Sequence, residues 1–345
     1  MFTAQVSGKS KSATLKIVGP MLALMFVVVF GTGQALAHDG RNDDKGNNKH
    51  YKKVNACAQT TEAAFAACNL AAQEDYNLAL GNCYNLSDAN DQKECFKEAK
   101  IDFKDARGEC SDQREARQEV CRDLGKGPYD PDLDPADFSS DIKNTYFSLV
   151  QSQTFTYQSE DTEGNIQTIV VSVQGTTTID GFPCREVTDK VWEGTDADPL
   201  TGRLLEDTID WFSQDSDGNV WYFGESTIAY TYDEDGNPTP STEGSWKAGE
   251  DGAKPGVIMP AVPGDQLGEL YRQEFFLGTA EDLGRVVGVG ETVMAGGVTY
   301  TDCVHTQDST PLEPDVIEDK FYAPGVGLVL TVEPEATEEL ISITP

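Results

Sequence analysis

An α+β fold, with a disulfide-laddered antiparallel helical hairpin followed by a mainly antiparallel, curved, half-barrel-like β-sheet, is what three features of the sequence predict. Cysteines at 57, 68, 83, 95, 110 and 121 are placed symmetrically, each having a partner such that the two numbers sum to 178. From residue 142 onward, runs rich in aromatic and β-branched residues are punctuated by Gly, Asn and Asp turn signals. Between these regions, residues 125–141 hold three prolines, two glycines and a row of acids, the composition of a linker.

Residues 1–37 have the order of an export leader. Lys9, Lys11 and Lys16 precede an apolar run from Met21 to Phe30, and Ala35-Leu36-Ala37 supplies a small-residue cleavage site. Gly31, Gly33 and Gln34 interrupt the run before it reaches bilayer-spanning length. Cleavage is therefore expected before His38, leaving no membrane span, and no cysteine follows the site to carry a lipid. All eight cysteines fall in the exported part and fit an oxidising compartment, either periplasm or exterior.

The formal charge of −33 is unevenly spread. Residues 38–126 carry 14 Lys/Arg against 17 Asp/Glu, whereas residues 127–345 carry 9 against 42. An acidic surface of this kind repels nucleic acid and anionic membranes. Residues 38–53 are polar and read as disordered. His38, His50 and His305 are the only histidines and have no metal-ligand spacing, so neither metal nor cofactor is expected.

Residues 54–124 predict the hairpin. Spacings of 11 and 15 residues are close to three and four helical turns, so the cysteines of each half share a stripe. Ala64, Ala72 and Ala79 follow that stripe in the first half, and Ala99, Phe103 and Ala106 in the second. The chain turns around Ser87-Asp88-Ala89-Asn90, where Asp88 or Asn90 can cap the second helix. The predicted bridges are Cys57–Cys121, Cys68–Cys110 and Cys83–Cys95, one of fifteen pairings. A seam of alanine buries little apolar area, so cross-links worth roughly 2–4 kcal/mol each must compensate. Each helix is about 39 Å long between its outer cysteines, a stiff spacer or docking arm.

Residues 142–345 form the β-domain. Strands are expected near 154–158, 166–175, 183–193, 204–214, 219–231, 269–278, 284–294, 298–306, 317–323 and 326–334. The hairpin from Asp210 to Glu225 carries Trp211, Phe212, Trp221, Tyr222 and Phe223, putting aromatic bulk on both faces. One face needs a covering of sheet closure, of a lid such as residues 252–263, or of a ligand, which makes Trp211, Trp221, Tyr222 and Phe223 candidate ligand-binding residues. The sequence around Cys184 echoes that around Cys303, and a Cys184–Cys303 bridge is expected. Asp215-Ser216-Asp217-Gly218-Asn219 and Asp233-Glu234-Asp235-Gly236-Asn237 invite a calcium reading, as does the alternation Asp130, Asp132, Asp134. The closing loop positions, Gly224 and Thr242, lack the required Glu, so hairpin turns are favoured.

Several motifs carry a resemblance: Asn144-Thr145-Tyr146-Phe147, Val220-Trp221-Tyr222-Phe223-Gly224-Glu225, Gly252-Ala253-Lys254-Pro255-Gly256, Tyr271-Arg272-Gln273-Glu274, and Tyr322-Ala323-Pro324-Gly325-Val326-Gly327-Leu328-Val329. Together they resemble an uncharacterised family of exported bacterial β-domain proteins, over roughly residues 142–334. The last motif also resembles envelope domains built like lipoprotein carriers, implying a curved antiparallel sheet. Neither resemblance transfers a catalytic residue.

No G-x-S-x-G elbow or phosphate-cradling glycine loop occurs, and His305 is the β-domain's sole histidine. Acids are so numerous that sequence singles out no carboxylate pair. The expected function is an exported, non-enzymatic binding or structural protein of the envelope or exterior. Its partner would be an apolar small molecule on the curved sheet or an envelope component. A carboxylate-dependent hydrolase of an envelope polymer and a calcium-binding surface protein are the alternatives. Buried carboxylates in a cleft would favour the hydrolase.

Overall fold

The computed structural model describes residues 55–195, 201–233 and 235–345; the leader and the polar segment 38–53 lie outside them. Helix α1 (Ala56–Tyr84) starts where Asn55 Oδ1 accepts from the Ala58 amide at 3.0 Å. Helix α2 (Ala89–Asp123) is capped by Asp88, whose carboxylate accepts from the amides of Asn90 and Asp91. The two run antiparallel with Cys57–Cys121, Cys68–Cys110 and Cys83–Cys95 joined, at Cα separations of 5.7, 5.8 and 5.5 Å. Ala64, Ala72 and Ala99 are buried along the seam. Larger side chains include two pairs of rings, Tyr76 on Phe103 and Tyr84 against Phe96. The hairpin thus relies on covalent rungs where an apolar core is thin.

The base of the hairpin is docked on the β-domain. Arg117 of α2 is buried and donates to both carboxylate oxygens of Glu281 at 2.7–3.1 Å. Arg285 pairs with Asp123 at 3.0 Å, and Gln113 donates to the Leu312 carbonyl. The segment read as a linker is packed as well: Tyr129 donates to the Pro255 carbonyl, Asp130 pairs with Lys254, and Asp134 caps a short 3-10 turn, Pro135–Asp137.

Sixteen strands are described: β1 (Phe138–Ser139), β2 (Thr154–Asp161), β3 (Ile166–Ile179), β4 (Phe182–Glu193), β5 (Arg203–Asp215), β6 (Val220–Tyr232), β7 (Pro238–Ser241), β8 (Trp246–Lys247), β9 (Lys254–Met259), β10 (Leu270–Arg272), β11 (Glu274–Phe275), β12 (Leu283–Ala295), β13 (Val298–Ser309), β14 (Ile317–Ala323), β15 (Gly327–Val332) and β16 (Ala336–Thr344). Their order is β10-β12-β13-β14-β15-β16-β2-β3-β4-β5-β6-β9-β11, with β1 on β5 and β7 and β8 on β6. Each named pairing is antiparallel, so the sheet is a meander whose C-terminal strand pairs with β2. Its two ends meet in one short stretch of chain. β10 pairs with β12, and β11, one residue further on, pairs with β9. A nearly closed barrel results, with this seam as its join.

The expected single strand over 269–278 is split at Gln273, whose amide donates to the Asp282 carbonyl at 2.9 Å, because its two parts serve opposite ends of the sheet. Residues 252–263, expected to be a covering loop, contain β9. Pro255 and Pro260 bracket the positions that pair with β6, where Gly256, Val257 and Met259 oppose Tyr222, Trp221 and Val220. A side chain at Gly256 would run into the Arg272 and Gln273 backbone within 2.6 Å, so glycine lets the seam close. The expected Cys184–Cys303 bridge is absent: both are buried free thiols. Cys184 lies on β4 and Cys303 on β13, strands that do not neighbour each other in the sheet, so no pairing brings their Cα atoms into bridging range.

Candidate functional site in the barrel interior

Strand register places alternate residues on the inner wall. One row reads Phe155, Val171, Asp189, Thr208, Thr227 across β2 to β6. The row on one side is Tyr157, Ile169, Val191, Glu206, and on the other Val173, Val187, Asp210, Glu225. β2 and β3 therefore give the wall an apolar half, while β5 and β6 fill theirs with acids and hydroxyls. Across β12 to β16 a further row reads Val286, Thr306, Lys320, Thr331, Glu338. Asp189, Glu206, Asp210, Glu225, Glu274, Asp282, Asp308 and Glu338 are all buried, Glu206 to 1% exposure.

The acids of β5 and β6 are linked through hydroxyls. Thr208 Oγ1 lies 2.8 Å from Glu206 Oε1 and 3.0 Å from Thr227 Oγ1, and Thr227 Oγ1 donates to Glu225 Oε2 at 3.0 Å. Three contacts are made with two hydroxyl protons. One carboxyl proton completes the chain, so a singly protonated Glu206–Glu225 pair satisfies all three. Beside it, Tyr222 donates to Asp210 Oδ1 at 2.7 Å.

Burial governs the charge state of these groups. It raises Glu206 to about 7 despite the bond from Thr208, and raises Asp210 to about 7 despite Tyr222. Asp189 and Glu225 are pushed well above the carboxylate range, first by burial and then by Asp210 and Glu206 nearby. Glu274 rises for the same reason, with Asp282 and Glu225 as its charged neighbours. Asp282 and Glu338 rise to about 8. Lys320 is the exception. Burial presses it towards the neutral amine, but Asp308 at 3.0 Å and Glu318 at 2.8 Å outweigh this and hold it protonated. Among the described residues, no three His, Cys, Asp or Glu side chains are grouped to hold a metal ion. Several buried oxygens lack a partner: Asp189 Oδ1, Glu206 Oε2, Glu338 Oε1 and Thr331 Oγ1. Such oxygens are costly and call for protons, water or a bound group.

The aromatic residues singled out from sequence occupy both faces of the β5–β6 hairpin and meet this chain's own side chains. Tyr222 faces inward, stacked on Phe212 at 5.0 Å and edge-on to Trp246 at 5.4 Å. Outside, Phe223 packs on Phe182 at 4.8 Å, and Phe138 of β1 closes over Phe223 and Trp221. Trp221 also donates to Asp215, and the Lys247 ammonium lies 5.1 Å from the centre of the Trp211 ring. The two faces are thus covered by barrel closure and by the Phe138 segment. The Asp-rich turns are self-satisfied. Asp161, Asp215 and Asp233 each accept from the backbone amides two and four residues on, and from the Asn side chain four residues on. Those turn carboxylates therefore hold hairpins with the oxygens that calcium would need.

Sequence patterning did not find the interior acids. Glu206-Thr208-Asp210 and Glu225-Thr227 alternate as a solvent-facing strand edge would, and register alone reveals that they face inward.

No protein-family model matches the chain, and no curated protein matches it. Among solved structures, it is similar to a chain described as an exported protein with a YmcC-like fold from Bacteroides fragilis. The TM-score is 0.34 at 13% identity, covering 59% of this chain and 100% of that one. It is also similar to a chain described as a lipoprotein from Parabacteroides distasonis, with a TM-score of 0.30 at 12% identity, covering 58% of this chain and 99% of the other.

Proposed function

We propose that this is an exported, non-enzymatic binding protein whose barrel interior receives a polar small molecule, with the helical hairpin as a rigid docking element. The leader pattern and the disulfide-laddered hairpin support export. The observation that carries the binding reading is the set of buried, unpartnered acceptor oxygens on the inner wall at Asp189, Glu206 and Glu338. These replace the open aromatic shelf expected from sequence, because the rings of Trp221, Tyr222 and Phe223 are occupied by their neighbours. A hydrolase needs its carboxyls to reach a polymer, and these acids are enclosed, so binding is favoured over catalysis.

The reading is tested by purifying the full chain from its native host, extracting it with denaturant and analysing the extract by mass spectrometry. A polar small molecule recovered in stoichiometric amount, and absent from an E206Q/E225Q preparation, is the expected result. An empty extract, together with no thermal shift across a panel of small polar molecules, overturns it and leaves a structural role.

A further inference from the structure

The barrel wall carries two groups of buried acids with unequal means of neutralisation. In β13 to β16, Asp308 and Glu318 are both met by the Lys320 ammonium. In β4 to β6, Glu206, Asp210 and Glu225 take hydroxyls from Thr208, Tyr222 and Thr227, Asp189 Oδ1 has no partner, and no basic side chain among the described residues bonds to them. We propose that a primary amine carried on a compact apolar body binds against Asp189, Glu206, Asp210 and Glu225, its ammonium standing where the second group has Lys320. This rests on the reading of the interior as a binding site.

Three further observations fit that class of ligand. The unpartnered oxygens Asp189 Oδ1 and Glu206 Oε2 are acceptors, so the missing group is a donor. An ammonium has three N–H donors and tolerates carboxylates spread over several strands, whereas a metal ion needs them convergent. The same rows continue into Phe155, Val171, Val173 and Val187, core side chains that border the acids with hydrocarbon. Other polar groups near these acids include Tyr157 on β2, Trp246 on β8, Glu274 on β11, Asp282 before β12, Lys320 and Tyr322 on β14, and Glu338 on β16. The join made by β10 and β11 is the easiest place to part, since it is held by three register pairs on one side and two on the other.

The experiment uses the full mature chain and measures thermal shift and calorimetric binding at pH 7.5. The probes are n-butylamine, benzylamine, n-butanol, glucose and calcium chloride. The amines are expected to raise Tm by roughly 5 °C at a hundred times their Kd. They are also expected to release protons, seen as a binding heat that changes with the buffer's ionisation enthalpy. E206Q/E225Q should weaken amine binding by at least about tenfold, and E291Q, on the outer face, should not. T208K, which brings an ammonium into the same row, should abolish the amine response and melt higher than wild type at pH 8. If E206Q/E225Q fails to fold, T208K decides. Equal amine shifts in wild type and T208K overturn the proposal. Shifts with glucose or calcium but not with the amines overturn the amine class and leave interior binding standing. No shift with any probe overturns both.

Discussion

Across β13 to β16 the barrel meets buried Asp308 and partly buried Glu318 with one ammonium, whereas across β4 to β6 Glu206, Asp210 and Glu225 meet hydroxyls and Asp189 Oδ1 has no partner. The first arrangement carries its own cation for Asp308 and Glu318. The second is complete only with protons or with a cation brought from outside, since like charges at this depth cannot all ionise together. The same fold thus holds one arc with an internal ammonium and one without.

The largest expected effect is a pH dependence to which both arcs contribute. Asp210 and Glu206 are raised to about 7, and Asp282, Glu338 and Glu333 to about 8. Each binds its proton more tightly when folded than when unfolded. The stability this confers is full below the ordinary carboxylate range and is lost as pH rises through 7 and 8. Urea unfolding of the ligand-free chain should show a loss on the order of 5 kcal/mol or more between pH 5 and pH 9, because each tenfold gain in a carboxyl's proton affinity on folding is worth about 1.4 kcal/mol. E206Q/E225Q should reduce that slope while Asp210, Asp282, Glu333 and Glu338 keep the rest; an unchanged slope would place the titration wholly in those other groups.

Next in size is the removal of the Lys320 ammonium. K320M leaves Asp308 and Glu318 buried without their cation and should cost about 3–5 kcal/mol at pH 7.5, partly recovered at pH 5. Equal losses at both pH values would mean that Lys320 contributes packing rather than charge. A smaller change, about 1–2 kcal/mol, is expected for T208V, which cuts the hydroxyl chain between Glu206 and Glu225 and leaves more buried oxygen without a partner. Its signature is a displaced pH profile that an ordinary packing loss would not produce. The smallest is E291Q on the outer face beside His305, expected within about 0.5 kcal/mol at any pH.

The two halves of the chain were unequally legible. Cysteine spacing led directly to the helical hairpin, because a covalent rung every three or four turns leaves a periodicity that survives without knowledge of neighbours. Most long strands were legible too, from their aromatic runs and from the Asp-Gly-Asn turns. β16 was missed because Glu338, at its centre, faces inward and breaks the expected alternation. β9 was missed because Pro255 and Pro260 resemble loop residues when the pairing partners are unknown. The acid-lined interior was hidden for a related reason. Polar residues at every second position mean solvent in an open sheet and lumen in a closed one, and closure is a property of the β10–β11 join rather than of any strand.

The hairpin also has a mechanical side. Three rungs spread over its length make it a lever of about 40 Å that does not bend at a helix–helix seam. Its fulcrum is the Arg117–Glu281 pair, and Glu281 sits on the turn between β11 and β12, next to Asp282 and the join of the barrel. Traction applied at the tip, near Cys83 and Cys95, is therefore delivered as torque to the part of the barrel with the fewest backbone bonds across it. Anything that grips the tip is mechanically in series with the join of the acid-lined barrel.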